Sequence, residues 1–303
     1  MKPLRKLLPN LLPSNLPRPA IALGLLALAG GASATNYTLW INGRTGGGAI
    51  GNYADFTYWG PAAVDAGINK KAVNWDGRSS IATQSGILRN ALDCFCTGNN
   101  WCYIATHSAG DLLIGYTLAN YGGSPRMKKN AAPNASGVCG SSGGAQTGWN
   151  IKWVASAAGS AGGSELADVG AWVMTEPLVR DLRVGTARGM YNHNETRGIW
   201  FYMFVGAEGG PGSFILPGQD DGVQAYHSAG AVAGSSGGSY CNPHDWFCNV
   251  LTLGASPAGG NHAKWANHWV SFRDDNEQYD HYTAGGWGGI VSVMRYAVAN
   301  SAR

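Results

Sequence analysis

Residues 101–110 have the sequence WCYIATHSAG, and this stretch decides the fold. It is a short apolar run, typical of a buried strand, that ends in small and polar residues. Residues 109–121 follow directly and carry leucine and tyrosine at helical spacing, which predicts a helix. A sharp strand-to-helix turn crowds the backbone and needs small residues after the turning one, here Ala109 and Gly110. We therefore expect Ser108 to lie at the carboxyl edge of a sheet, facing the N–H groups that begin the helix.

Predicted strands and helices alternate along the rest of the chain. Before the central stretch, the sequence predicts strands at 37–41 and 71–75 and a helix at about 80–93. After it come predicted strands at 151–157 and 199–205, predicted helices at 176–188 and 289–299, and predicted loops at 122–149 and 206–263. This alternation indicates an α/β fold in one domain of residues 35–303, with a mostly parallel central sheet, helices on both faces and long Gly-rich loops.

The first 34 residues predict a secretory signal peptide. They contain four basic residues and no acidic one, then the apolar run 20–30 and a small-x-small cleavage site at 32–34. The apolar run has 11 residues, whereas a membrane-spanning helix needs about 20. We expect an exported protein, in an extracellular, periplasmic or envelope-associated location, with no transmembrane segment after signal removal. A retained membrane anchor is the alternative.

Charge argues against nucleic acid as a partner. The chain has 21 Lys and Arg against 18 Asp and Glu. Since four of the basic residues lie in the predicted signal, residues 35–303 carry 17 basic against 18 acidic residues. A body without excess positive charge lacks the electrostatic footprint of nucleic-acid binding. Its low charged fraction, 13% for the whole chain, suits an uncharged substrate.

Six cysteines in an exported chain predict disulfides. Cys241 and Cys248 bracket one short loop and are the predicted pair. The pairing of the four earlier cysteines stays open: Cys94, Cys96, Cys102 and Cys139. Zinc is disfavoured because the chain has no Cys-x-x-Cys spacing.

The turn Thr106-His107-Ser108-Ala109-Gly110 resembles the Gly-x-Ser-x-Gly nucleophile elbow of α/β-hydrolases, in particular of secreted bacterial lipases and esterases. Thr106 replaces the first glycine of that motif, and His107 matches a residue that is common there in lipases. The resemblance implies an α/β-hydrolase fold with Ser108 as the nucleophile. The backbone N–H of Ala109 would be one donor of an oxyanion hole.

Three further segments resemble lipase segments in the same order along the chain. Residues 37–43 resemble the strand that ends in the His-Gly oxyanion loop, with Asn42 in place of histidine. This match implies the backbone N–H of Arg44 as the second oxyanion donor, although an ordinary Gly-rich turn is the alternative. Residues 159–168 keep the Gly-Ser-x-x-Ala-Asp part of a lipase segment. Residues 220–223, Asp-Asp-Gly-Val, resemble the segment that supplies the acid of the triad.

A nucleophilic serine needs a histidine base, and the base needs a carboxylate that orients it. In the hydrolase order of serine, acid and histidine, the resemblance implies Asp221 as the acid, with Asp220 as the alternative. His281 precedes the last predicted helix, as the base does in the family, and His262 and His268 are alternatives. The structural alternatives are a solvated Asp-Asp turn and histidines that only pack.

No cofactor and no metal are expected. The acidic residues of 274–280 could ligate a hard cation such as Ca²⁺, but a solvated loop is the simpler interpretation. The sequence therefore predicts a secreted serine hydrolase that cleaves small-molecule, lipid or polymer esters through an acyl-enzyme. The alternatives are a non-catalytic binding module on the same fold, for carbohydrate or a surface, and a serine peptidase or acyltransferase. The sequence predicts no particular oligomeric state.

Overall fold

The computed structural model describes residues 34–44, 48–60, 66–170, 172–206, 208–210, 212–216, 220–230, 256–257, 262–271, 279–281 and 289–303. The predicted signal peptide, apart from its last residue, lies outside these residues. So do the predicted Cys241–Cys248 disulfide and the acidic residues 274–277. These three interpretations stay predictions.

The described chain contains ten strands, in chain order Asn36–Ile41 (β1), Lys70–Val73 (β2), Trp101–His107 (β3), Pro125–Pro133 (β4), Cys139–Thr147 (β5), Ile151–Ala157 (β6), Trp200–Phe204 (β7), Ser256–Pro257 (β8), His262–Trp265 (β9) and His268–Ser271 (β10). Eight of them form the central sheet, in the order β2-β1-β3-β6-β7-β10-β9-β8. The first six strands of that order are parallel, and β9 and β8 add an antiparallel edge. The predicted mostly parallel sheet is confirmed.

The helices of the described chain are Ile81–Phe95 (α1), Ala109–Tyr121 (α2), Glu165–Gly170 (α3), Pro177–Asp181 (α4), Val184–Gly189 (α5), Tyr226–Ala229 (α6) and Ile290–Ser301 (α7). Side chains of a strand alternate between the two faces of a sheet. On β1, Leu39 and Ile41 join the core under α1 and α2, whereas Trp40 joins the core under α7. Helices therefore cover both faces, as predicted.

Two predictions of local structure are wrong. The predicted loop 122–149 is an antiparallel hairpin of β4 and β5. It escapes a pattern-based prediction because its strands are largely exposed on both sides, so they show no apolar alternation. The predicted helix 176–188 consists of two short helices, α4 and α5, because Leu182 ends the first and the backbone of Arg183 is extended.

Two disulfides fix the chain around the C-terminal end of α1. Cys94 pairs with Cys139 across a sequence separation of 45 residues, and we call this bond the long-loop disulfide. Cys96 pairs with Cys102 across 6 residues, the short-loop disulfide. The first ties α1 to the hairpin, and the second ties it to the start of β3. No helix among the described residues is long and apolar enough to cross a bilayer.

Candidate active site

Ser108 lies at the turn between β3 and α2 with φ 53° and ψ −128°, a backbone conformation that few residues other than glycine adopt. Its N–H donates to the carbonyl of Ala157, 3.0 Å away, at the end of the neighbouring strand. The turn is tight because α2 starts against the first strand. A Cβ atom on Gly110 would lie only 2.7 Å from the carbonyl oxygen of Asn42, so glycine is required there.

Ser108, His281 and Asp221 form one chain of hydrogen-bonding side chains. The Ser108 Oγ lies 3.0 Å from His281 Nε2, and His281 Nδ1 lies 2.8 Å from an Asp221 carboxylate oxygen. All three residues are buried. The other oxygen of Asp221 accepts the backbone N–H groups of Val223 and Gln224, at 3.0 and 2.8 Å, which fixes the orientation of the carboxylate. The backbone N–H of His281 also donates to the carbonyl of Asp221, at 2.9 Å.

The serine follows a central parallel strand, the carboxylate follows β7, and the histidine precedes α7. Together with the strained turn at Ser108, this arrangement decides the fold. The chain has the α/β-hydrolase fold. The resemblance to hydrolases is thus confirmed at the level of fold.

The segment after β1 runs beside the serine of this hydrolase fold. A Cβ atom on Gly43 would lie 2.8 Å from the Cβ of Ser108. Asn42, which replaces the histidine of the lipase motif, holds this segment in place: its carbonyl accepts the Trp75 indole N–H at 2.7 Å and its side-chain oxygen accepts the Trp75 backbone N–H at 3.1 Å. Arg44 and Ser108 line the same cavity. Arg44, the predicted donor, follows Gly43, and Ala109 begins α2.

The alternatives for the acid and the base lie elsewhere in the described structure. The Asp220 carboxylate accepts the Ser213 hydroxyl at 2.6 Å and the Gly222 N–H at 2.7 Å, so it fixes a neighbouring turn. Burial raises the pKa of Asp220, and these hydrogen bonds oppose the rise. His268 lies on β10 with its ring stacked on Trp265, 3.5 Å between centroids. His262 lies on the neighbouring strand β9.

A cavity of about 580 Å³ opens above Ser108 and His281. Its apolar walls come from α3, α4 and the segments beside them: Leu166, Met174, Val179, Leu182, Phe214 and Ile215. Cavities of this volume with apolar walls are typical of small-molecule sites. At its edge the Arg44 guanidinium makes an ion pair with Glu176, with two nitrogens 2.8 and 2.9 Å from one carboxylate oxygen. The pair leaves the cavity without a net charge from these two residues.

Tyr58 and His107 also line the cavity, and the sequence predicts no role for either. The Tyr58 hydroxyl lies 2.5 Å from His107 Nδ1. Tyr58 belongs to a segment with no regular secondary structure, so no periodicity could have placed it at the site. Only His107, by its position before the serine, gave a signal in the sequence.

Within the part of the chain that the structure describes, no three His, Cys, Asp or Glu residues are grouped closely enough to hold a metal ion. Most of the acidic residues considered for Ca²⁺ lie outside that part, and Asp280 lies within it.

Comparison with known proteins gives matches among solved structures only. No model of a known protein family matches the chain, and no curated protein matches it. The Staphylococcus hyicus lipase is 10% identical, with a TM-score of 0.49 over 88% of this chain and 94% of that one. EstA from Clostridium botulinum is 12% identical, with a TM-score of 0.48 over 88% of each chain. Lipase 1 from Pelosinus fermentans is 11% identical, with a TM-score of 0.47 over 88% of this chain and 97% of that one. What the site can do follows from its own geometry.

Proposed function

We propose that the protein is a serine hydrolase that cleaves carboxylic esters through an acyl-enzyme. The observation that carries this proposal is the hydrogen-bonded chain from Ser108 through His281 to Asp221 on the floor of an apolar cavity. Serine, histidine and carboxylate in this arrangement are the groups that acyl transfer requires.

In the proposed reaction, the Ser108 oxygen attacks the ester carbonyl carbon while its proton passes to His281 Nε2. The resulting tetrahedral intermediate collapses, and the leaving alcohol takes the proton from His281. Water then attacks the acyl-enzyme, gives a proton to His281 and releases the carboxylic acid as Ser108 regains its proton. Asp221 keeps the proton of His281 on Nδ1 and stabilises the imidazolium that forms.

The oxyanion of each intermediate would be held by the backbone N–H groups of Arg44 and Ala109. Ala109 is the first residue of α2, where N–H groups have no partner within the helix. Preorganised donors of this kind account for a large part of the rate of acyl transfer.

The cavity supports an uncharged, apolar substrate. Its walls are aliphatic and aromatic, and the arginine at its edge is paired with Glu176. An ester with an aliphatic acyl chain meets these conditions, whether it is presented as a small molecule, a lipid or a polymer. The two disulfides support an oxidising location outside the cytoplasm, in agreement with the predicted signal peptide.

The test uses a fluorophosphonate probe, which labels activated serines, and p-nitrophenyl esters of increasing chain length beside peptide substrates. We expect the probe to label Ser108 and Ser108→Ala to abolish both labelling and ester hydrolysis. Ser85→Ala is the matched control, since the Ser85 hydroxyl is buried in α1 and donates to the carbonyl of Ala82 at 2.7 Å. Ester hydrolysis that survives Ser108→Ala unchanged would refute the proposal, and cleavage of peptides alone would favour a peptidase.

A further variant tests the base. His281→Ala should lower kcat by about four orders of magnitude or more, the loss typical of removing a triad histidine. Turnover close to that of the wild type would exclude His281 from this role.

A further inference from the structure

The His107 imidazole lies between two polar groups and is buried. Its Nδ1 is 2.5 Å from the Tyr58 hydroxyl, and its Nε2 is 2.6 Å from the carbonyl oxygen of His281. His107 directly precedes Ser108 in sequence. The His107 side chain therefore connects β3, which leads to Ser108, to the backbone of His281, whose ring contacts Ser108.

The direction of each hydrogen bond follows from the partners. A carbonyl oxygen can only accept, so Nε2 of His107 carries a proton and donates to His281. Burial, and then the charge of a protonated His281, lower the pKa of His107 to about 3, although the hydrogen bond to the carbonyl opposes this. The ring is therefore neutral near pH 7, its Nδ1 is an acceptor, and the Tyr58 hydroxyl donates to it.

The Tyr58 hydroxyl also lies against the segment after β1. The hydroxyl is enclosed, and burial raises the pKa of the phenol while the backbone N–H of Gly43 opposes the rise. The phenol thus keeps its proton. A Cβ atom on Gly43 would lie 2.8 Å from the Tyr58 hydroxyl oxygen.

The aromatic neighbour of Tyr58 fixes the segment that carries it. Trp59 is buried, and its ring lies edge-on to that of Tyr58, with 5.2 Å between centroids. Trp59 also packs edge-on against Trp40 of β1, at 4.9 Å. The hydroxyl of Tyr58 is therefore presented to His107 from a segment held against the central sheet.

The geometry points to Tyr58 and His107 as positioning residues. They hold residues 43–44, which carry a proposed oxyanion donor, and the proposed base at fixed positions relative to Ser108. The path runs from the backbone of Gly43, which lies against the Tyr58 hydroxyl, through the His107 ring, to the carbonyl of His281. This inference rests on the proposed function and names residues to which that mechanism assigns no chemical step.

Two physical consequences give these residues their importance. The donor at Arg44 follows Gly43 directly, so a shift of Gly43 moves it away from the oxyanion, and misplacement by about 1 Å can cost a hundredfold in rate. In addition, the ring of His107 lies 4.9 Å from that of His281. Because His107 stays neutral, the imidazolium that forms on His281 meets no like charge there.

The first test compares two tyrosine variants. Tyr58→Phe removes the hydroxyl without changing the ring, and we expect kcat for a p-nitrophenyl ester to fall by about ten- to a hundredfold while KM stays within about twofold, because apolar binding is untouched. Tyr53→Phe is the matched control, since the buried Tyr53 hydroxyl donates to the carbonyl of Gly137 at 2.8 Å, away from the cavity. It should lower Tm by a similar amount and leave kcat unchanged. Equal kcat in Tyr58→Phe and wild type would overturn the inference.

The second test uses substitutions of His107 that differ in their hydrogen bonds. The amide of His107→Gln can still donate to the His281 carbonyl and accept from Tyr58, whereas His107→Leu can do neither. We expect Gln to retain most of the kcat that Leu loses. A packing role alone would give similar kcat values for the two folded variants and would overturn the inference.

A spectroscopic measurement on the unmodified enzyme needs no variant. In ¹⁵N spectra of histidine-labelled protein, His107 should be the neutral Nε2–H tautomer and should not titrate from about pH 5 to about pH 9. An Nδ1–H tautomer, or titration near 6.5, would overturn the hydrogen-bond directions given above.

Ser108→Ala separates this inference from the proposed function. If Ser108→Ala hydrolyses esters as the wild type does, the proposed function fails and this inference with it. If Ser108→Ala is inactive but Tyr58→Phe and His107→Leu keep the wild-type kcat, the proposed function stands and only the positioning role is wrong.

Discussion

Asp111→Asn should stabilise the protein at neutral and alkaline pH but not at acid pH. Asp111 lies in the first turn of α2, and its N–H donates to the carbonyl of Ser108 at 3.0 Å. The carboxyl group is buried. Burial raises its pKa from 3.8 to about 7, while the Ser156 hydroxyl and the Ala161 N–H oppose the rise.

The size of the effect follows from linkage between protonation and folding. As pH rises from 3.8 to about 7, the unfolded chain releases the Asp111 proton while the folded chain retains it. The free energy of unfolding therefore falls by about 1.4 kcal/mol for each pH unit of that interval, or about 4 kcal/mol in total, and is constant above it. Asparagine has nearly the same shape as aspartic acid and does not ionise, so the free energy of unfolding of the variant does not fall in this way.

The assay is urea unfolding of wild type and Asp111→Asn at pH 4, 6 and 8, with both disulfides intact. Differences between the two proteins at each pH remove the contribution of all other titrating groups. We expect the variant to gain up to about 4 kcal/mol relative to wild type between pH 4 and pH 8.

A control with the opposite sign is available at the surface. The pKa of Asp55 is lowered by hydrogen bonds, first from the Thr57 hydroxyl and then from the N–H groups of Ala49 and Thr57. Asp55→Asn should therefore lose stability relative to wild type as pH rises through 3.8 and differ from it by a nearly constant amount at higher pH, so this control is measured at about pH 3 and about pH 5. A difference for Asp111→Asn that is flat from pH 4 to pH 8 would refute the assignment of a protonated, buried carboxyl group.

Three further predictions concern the disulfides, the serine turn and the cavity. Replacing both cysteines of the long-loop disulfide by alanine should lower the free energy of unfolding by about 4 kcal/mol, against about 2 kcal/mol for the short-loop disulfide, because the longer loop restricts the unfolded chain more. Urea unfolding measures both values, and equal losses of stability would contradict this prediction. Gly43→Ala should lower kcat by at least about tenfold, since its Cβ would lie 2.8 Å from that of Ser108; unchanged kcat with an unchanged Tm would count against the close approach. For p-nitrophenyl esters, kcat/KM should rise by about fourfold for each added methylene until the acyl chain fills the cavity, whereas a flat series would place the acyl chain outside it.

The sequence predicted the fold well because that information is local. The apolar run of β3, the small residues after Ser108 and the leucines of α2 are adjacent in sequence, and together they predict a strand, a turn and a helix. The hairpin of β4 and β5 was missed because its backbone pairing needs no apolar pattern. Its attachment to α1 by the long-loop disulfide is a contact between distant residues that spacing alone left open.

Only those residues of the candidate site that belong to motifs in the hydrolase order could be predicted from the sequence. The order of serine, acid and histidine selected Ser108, Asp221 and His281, and these three side chains lie in one hydrogen-bonded chain. Tyr58 could not be selected in this way, because its contact with His107 spans 49 residues and comes from an irregular segment. The ion pair of Arg44 with Glu176 joins residues 132 positions apart, so it also cannot be predicted from the spacing of residues in the sequence.

The positions of the two described disulfides in the sequence allow them to form early in the maturation of the chain. The four cysteines that are paired within the described residues lie between residues 94 and 139, whereas Asp221 and His281 come much later. A chain that emerges from its N-terminus, during synthesis or export, presents both cysteine pairs before these later residues are available. Oxidation of α1, β3 and the hairpin therefore requires nothing from the second half of the protein. The strand that leads to Ser108 can therefore be covalently fixed before Asp221 and His281 are available to lie beside it.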